Sequence, residues 1–131
     1  MNSERMTVQQ YIPLAAATAG TAADLFVVYG GNGKAKVARV DYVSDGGITA
    51  NDTNYATLTV TVAGTSLGSF STTAAGTGDI ADGAVESVTL SGAGSNLVSE
   101  GGAVKLAITK VASGVAMSGG IAVTFERVRA D

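Results

Sequence analysis

Residues able to do chemistry gather in two short stretches. In SDGGITANDTNYATLTVTV (residues 44–62), the turn-rich half brings Asp45, Asn51, Asp52 and Asn54 together. Their hard oxygens are of the kind calcium takes, yet calcium sites usually draw on several carboxylates or a bidentate Glu, and only two Asp stand here. The same residue types build corners, because Asp and Asn side chains accept hydrogen bonds from nearby backbone N–H groups. A structural corner before a strand is therefore expected, with no metal. The second stretch holds Asp79, Asp82 and Glu86. A carboxylate pair serves glycoside hydrolysis when its surroundings hold one member protonated. Nothing nearby marks one of the three for that role, and a solvated loop is expected.

Other signatures of catalysis fail on spacing or on partners. YGGNGKAK (residues 29–36) superficially suggests phosphate binding. A phosphate loop needs G-x-x-x-x-G-K-[ST] ahead of a helix. This run is shorter, Ala35 follows the lysine and a strand follows that, so a hairpin turn centred on Asn32-Gly33 is expected. The chain has no His and no Cys, so its serines lack the usual partner for acyl transfer. The commonest metal ligand and the physiological pH switch are missing with the histidines. No cofactor is expected.

Composition narrows the remaining classes. The 131 residues suit one domain able to bury roughly two-thirds of its unfolded surface. Hydrophobic residues reach 46% but aromatic ones only 5%, with no Trp, so Ala, Val, Leu and Ile must build the core. So few rings make poor stacking platforms for bases or sugars. The net charge of −3 disfavours a nucleic-acid backbone as partner. No apolar run approaches the roughly 20 residues that cross a bilayer, so no membrane is expected. The first 28 residues read as mature sequence, because Gln9, Gln10 and Pro13 interrupt any signal-like apolar core.

The elements that must position these residues are strands. No window repeats apolar residues at helical spacing over three turns, whereas period-two alternation recurs. In YATLTVTV (residues 55–62), Ala56, Leu58, Val60 and Val62 face inward and Tyr55, Thr57, Thr59 and Thr61 outward. Likewise Val104, Leu106 and Ile108, and then Ile121, Val123 and Phe125, face a core. KVARVDYV (residues 36–43) puts Ala38, Val40 and Tyr42 on one face and Arg39 and Asp41 on the other. DLFVVYG (residues 24–30) is a continuous apolar run, expected to be buried on both sides. TSLGSFST (residues 65–72) breaks its alternation at Gly68, where a bulge is expected. ESVTLS (residues 86–91) and LVSEGG (residues 97–102) add shorter pieces.

About eight strands at ten-residue spacing with Gly-rich turns predict an all-β fold, an antiparallel β-sandwich, either jelly-roll-like or a Greek-key sandwich of another strand order. Residues 1–14 stand apart, polar and without a clear period, and are expected to form an extended N-terminal arm or tail. The sandwich would occupy residues 15–131. Arg5, Met6, Val8, Tyr11 and Ile12 give the arm enough charged and apolar surface to bind a partner.

The sequence also carries a resemblance. VDYVSDGGITANDTNYATLTVTV and ESVTLSGAGSNLVSEGGAVKLAITKVASGVAMSGGIAVTFERV together resemble the head decoration, or cement, proteins of tailed double-stranded DNA bacteriophages. The shared pattern is Tyr42-Val43 ending a strand, a corner from Ile48 to Asn54, and a turn from Val88 to Leu97. It continues with Gly101-Gly102, a Ser113-Gly114 loop and a last strand from Val123 to Arg127. It covers roughly residues 40–128. SEGGAV departs where an acidic residue is commoner after the Gly, and MSGG lacks a frequent proline. The resemblance implies a non-enzymatic homotrimer on the outer surface of the virion capsid, with the major capsid protein as partner. A tail or fibre module that binds the host is the alternative. A carbohydrate-binding module fits less well, for want of rings.

Overall fold

A computed structural model describes residues 7–14, 22–91 and 96–128. They form nine strands: β1 Thr7–Leu14, β2 Ala23–Val28, β3 Ala35–Ser44, β4 Tyr55–Val62, β5 Thr65–Ser71, β6 Val85–Ser87, β7 Leu97–Val98, β8 Ala103–Val111 and β9 Gly119–Arg127. The strands make two antiparallel sheets. Sheet A has the order β1-β9-β3-β6, with β7 also on β3, and sheet B the order β2-β8-β4-β5. The pairs are nested, β1 with β9, β2 with β8, β3 with β6 and β7, and β4 with β5. The fold is thus the all-β sandwich the alternating sequence predicts.

The core lies between the sheets. Val40, Tyr42, Ile121, Val123 and Phe125 line it from sheet A, and Leu58, Val60, Val104 and Leu106 from sheet B, all fully buried. Each such side chain contributes roughly 1.5–3 kcal/mol by leaving water. The inward residues anticipated for β4, β8 and β9 are buried, and in β9, which lies between β1 and β3, Ala122 and Thr124 on the other face are buried too. The expected irregularity in β5 is present. Register against β4 shifts between Val60 and Thr61, so Leu67 is the extra residue and its side chain turns fully inward.

Three local expectations are corrected. In β3, Val37 is buried and Ala38 is not, because the register against β9 shifts between Val37 and Arg39. That bulge reverses which residues point inward, so strict alternation misassigns the start of the strand. Second, β2 is an edge strand of a two-layer sandwich, not a strand covered twice; Phe26 and Val28 stand exposed. Third, Asn32-Gly33 does not turn a hairpin. β2 pairs with β8 and β3 with β9, so residues 29–34 cross from one sheet to the other. Tyr29 anchors the crossing. Its ring is buried, tilted against Phe125 at 4.9 Å, and its backbone is tied to Gly101 and Gly102.

A fourth difference concerns the N-terminal stretch. Over residues 7–14 the expected arm is strand β1, paired along its whole length with β9. Val8, Ile12 and Leu14 pack on the core, and Gln10 takes the fourth inward position. That glutamine hides the alternation. Pro13 fits because β1 is an edge strand, where one side of the backbone needs no ladder partner. The rest of the expected arm, residues 1–6, lies outside the described residues.

Candidate functional site

The polar corner resolves into a set of backbone clamps. β3 ends at Ser44, and the chain runs through the corner to Tyr55, where β4 begins. Asn51 Oδ1 accepts from Thr53 N at 2.8 Å and Asn54 N at 2.7 Å. Asn54 Oδ1 accepts from Ser113 N at 2.9 Å, which ties the corner to the loop after β8. Asp52 Oδ1 reaches Ala74 N at 2.9 Å. The second acidic stretch closes on the first. Asp79 Oδ1 accepts from Ala50 N and Asp82 Oδ1 from Gly46 N, both at 2.8 Å. Between them Ile48 and Ile80 form a two-way antiparallel bridge, N···O 2.7 and 2.8 Å, with both side chains buried.

Two clusters that look separate in the sequence are therefore one interlocked end of the sandwich. Glu86 does not join it; that residue sits on β6 opposite Tyr42. Among the described residues no group of three or more His, Cys, Asp or Glu stands close enough to hold a metal. Asn51, Asp52, Asn54, Asp79 and Asp82 each accept from one or two backbone N–H groups, and the arrangement braces this end.

Below the corner, Tyr42 Oη donates to the Ser118 carbonyl at 2.6 Å. Burial pushes the Tyr42 phenol above its usual pKa of about 10. The half-buried Lys110 ammonium donates to the Val115 carbonyl, and burial lowers its pKa. Both fasten the strand-poor stretch between β8 and β9.

A different character marks the outer face of sheet A. One register row runs across β1, β9, β3 and β6 through Pro13, Gly120, Val43 and Val85. Tyr11 leans over it: a Cβ on Gly120 would lie only 2.0 Å from the Tyr11 hydroxyl. The glycine leaves the space in which the ring rests. Tyr11 is still 58% exposed and Val85 56%. The next rows are polar and satisfied within the sheet. Gln9 Nε2 donates to Thr124 Oγ1 at 3.2 Å, Arg39 pairs with Asp41 at 3.3 Å, and Ser87 Oγ donates to Asp41 at 2.6 Å. Lys36 pairs with Glu126 at 3.2 Å. The face is an apolar band beside charges that cancel locally.

Of the residues expected to touch a partner, Tyr11 stands on this band. Val8 and Ile12 turn to the core, and Arg5 and Met6 lie outside the described residues. Val43 and Val85 were not legible as surface residues. Their position follows only from the register of β3, β6 and β9. No family model, curated protein or solved structure matches the chain.

Proposed function

We propose that this protein is a capsid decoration, or cement, protein. It would form a homotrimer on the outer surface of a tailed-phage head and clamp adjacent major capsid subunits without catalysing a reaction. The observation that carries the reading is the apolar band of Tyr11, Pro13, Val43 and Val85. A protein partner can cover it, and the paired charges beside it supply a polar rim. Tyr is the residue type expected to anchor such a contact. The nested strand order supports reading the sandwich as a jelly roll, an architecture used by viral capsid domains. The sequence pattern over residues 40–128 points the same way.

The physics is linkage. A ligand that binds the expanded lattice and not the dissociated subunits stabilises that lattice by mass action. A trimer that touches several subunits gains avidity from modest individual contacts. Mixing the purified chain with expanded empty heads tests the reading. Saturable binding at many copies per head, lost in Val85→Lys, is expected. Heads that sediment bare at high protein concentration would overturn it.

A further inference from the structure

The crossing from β2 to β3 holds an Asn-Gly pair that the expected hairpin would have explained and the actual topology does not. Asn32 and Gly33 are both exposed. We propose that Asn32-Gly33 is a self-modification site, where Glu100 and Tyr29 promote deamidation of Asn32 through a succinimide. The inference stands independently of the capsid reading.

The reaction needs the backbone nitrogen of Gly33 to lose its proton and attack Cγ of Asn32. Glycine offers no Cβ to block that approach. Two side chains address the reacting peptide group from opposite ends. Gly33 N–H donates to Glu100 Oε1 at 3.3 Å, so a carboxylate already faces the proton that must leave. Tyr29 Oη donates to the Asn32 carbonyl at 3.3 Å. That bond draws electron density onto the oxygen and steadies the negative charge that spreads there when the nitrogen ionises. Tyr29 cannot drift away. Its ring is held by Phe125, and Gly31 lies so close that a Cβ there would sit 2.3 Å from the hydroxyl.

The steps balance without any oxidant or cofactor. Gly33 N bonds to Asn32 Cγ as its proton passes to Glu100. The Cγ–Nδ2 bond then breaks, the proton goes to the departing nitrogen, and ammonia leaves. Water opens the five-membered ring at either carbonyl, giving aspartate or isoaspartate. The net charge falls from −3 to −4, and the isoaspartate product adds a backbone methylene just ahead of β3. Other asparagines among the described residues lack these conditions. Asn51 and Asn54 have their side-chain oxygens engaged as acceptors, and Asp52 and Tyr55 follow them; Asn96 donates through Nδ2 to the Val37 carbonyl at 3.4 Å and is followed by Leu97.

Incubating the full chain at neutral pH, with peptide mapping by mass spectrometry, tests the proposal. The reference is a synthetic peptide spanning residues 28–36. Deamidation at Asn32 is expected to run about tenfold or more faster in the folded chain than in the peptide. Glu100→Gln keeps an acceptor but removes the base, and Tyr29→Phe keeps the ring but removes the donor. Each should slow the folded chain severalfold toward the peptide rate, with thermal unfolding confirming that both variants fold. A folded chain that deamidates no faster than the peptide would overturn the proposal. So would variants that both react at the wild-type rate.

Discussion

The corner at residues 44–54 and the outer face of sheet A make opposite use of their residues. The corner is rich in Asp, Asn and Thr and looks like a site. The side-chain oxygens of Asn51, Asp52 and Asn54 are engaged by backbone N–H groups, and Ile48 is buried against Ile80. The sheet face carries few polar groups that look special, and those it has satisfy one another. What it leaves open is Tyr11 and Val85. In this molecule a dense polar motif holds a loop, and the plain surface is the part that leaves apolar area exposed. Asp and Asn side chains at exposed corners are held by local hydrogen bonds to backbone N–H groups, whereas exposed apolar area is stabilised only when something covers it.

The contrast can be broken at several places. The largest stability change is expected from Asn51→Ala combined with Asp79→Ala. Three hydrogen bonds to backbone N–H groups go, at about 0.5–1.5 kcal/mol each for exposed positions. Chemical denaturation should show a loss of about 2–4 kcal/mol. Head binding by the folded fraction should not change. If that double variant instead bound heads poorly while folded, the corner would be a contact surface and the contrast would fail.

A smaller effect, about 1 kcal/mol at neutral pH, is expected from Tyr42→Phe, which removes the bond to Ser118 and keeps the ring. The variant also has a pH signature. Burial raises the Tyr42 pKa in the folded state, so the unfolded chain ionises first. The stability tied to its proton is complete below pH ~10 and is lost as pH climbs toward the raised folded value. Stability measured from neutral to alkaline pH should therefore fall less steeply in Tyr42→Phe than in wild type. Equal slopes would mean the phenol is not desolvated as the packing implies.

Turn chemistry supplies a gain. Ala63 and Gly64 join β4 to β5 with φ of 50° and 83°. Both central residues of such a two-residue turn need positive φ, which Asn tolerates better than Ala. Ala63→Asn should raise stability by about 0.5–1 kcal/mol, read from the denaturation midpoint. Val85→Lys should move stability least, within about 0.5 kcal/mol, because an exposed side chain is exchanged.

Most of the sandwich was legible in the sequence because β4 and β8 each bury one face, and a period of two reports that directly, while the large apolar residues of β9 mark its core side even though Ala122 and Thr124 on the other side are buried as well. What was hidden has physical reasons. Gln10 occupies an inward position of β1, so its alternation reads as polar and the strand reads as a tail. The bulge at Ala38 inverts the pattern within β3. The apolar run of β2 speaks of burial on two sides, but topology leaves it at an edge. The corner was legible as a corner, since Asp and Asn spacing reports local hydrogen bonding. Its closure by Asp79 and Asp82, some thirty residues on, was not, because that depends on the Ile48–Ile80 bridge. The band of Tyr11 and Val85 joins strands far apart in the chain and exists only through register.

Cosedimentation of the purified protein with expanded empty heads puts the central claim at most direct risk. Wild type and the Asn51→Ala/Asp79→Ala variant should saturate the heads at the same copy number, and Val85→Lys, equally stable, should stay in the supernatant. Val85→Lys pelleting with the heads as wild type does would contradict the assignment of that face.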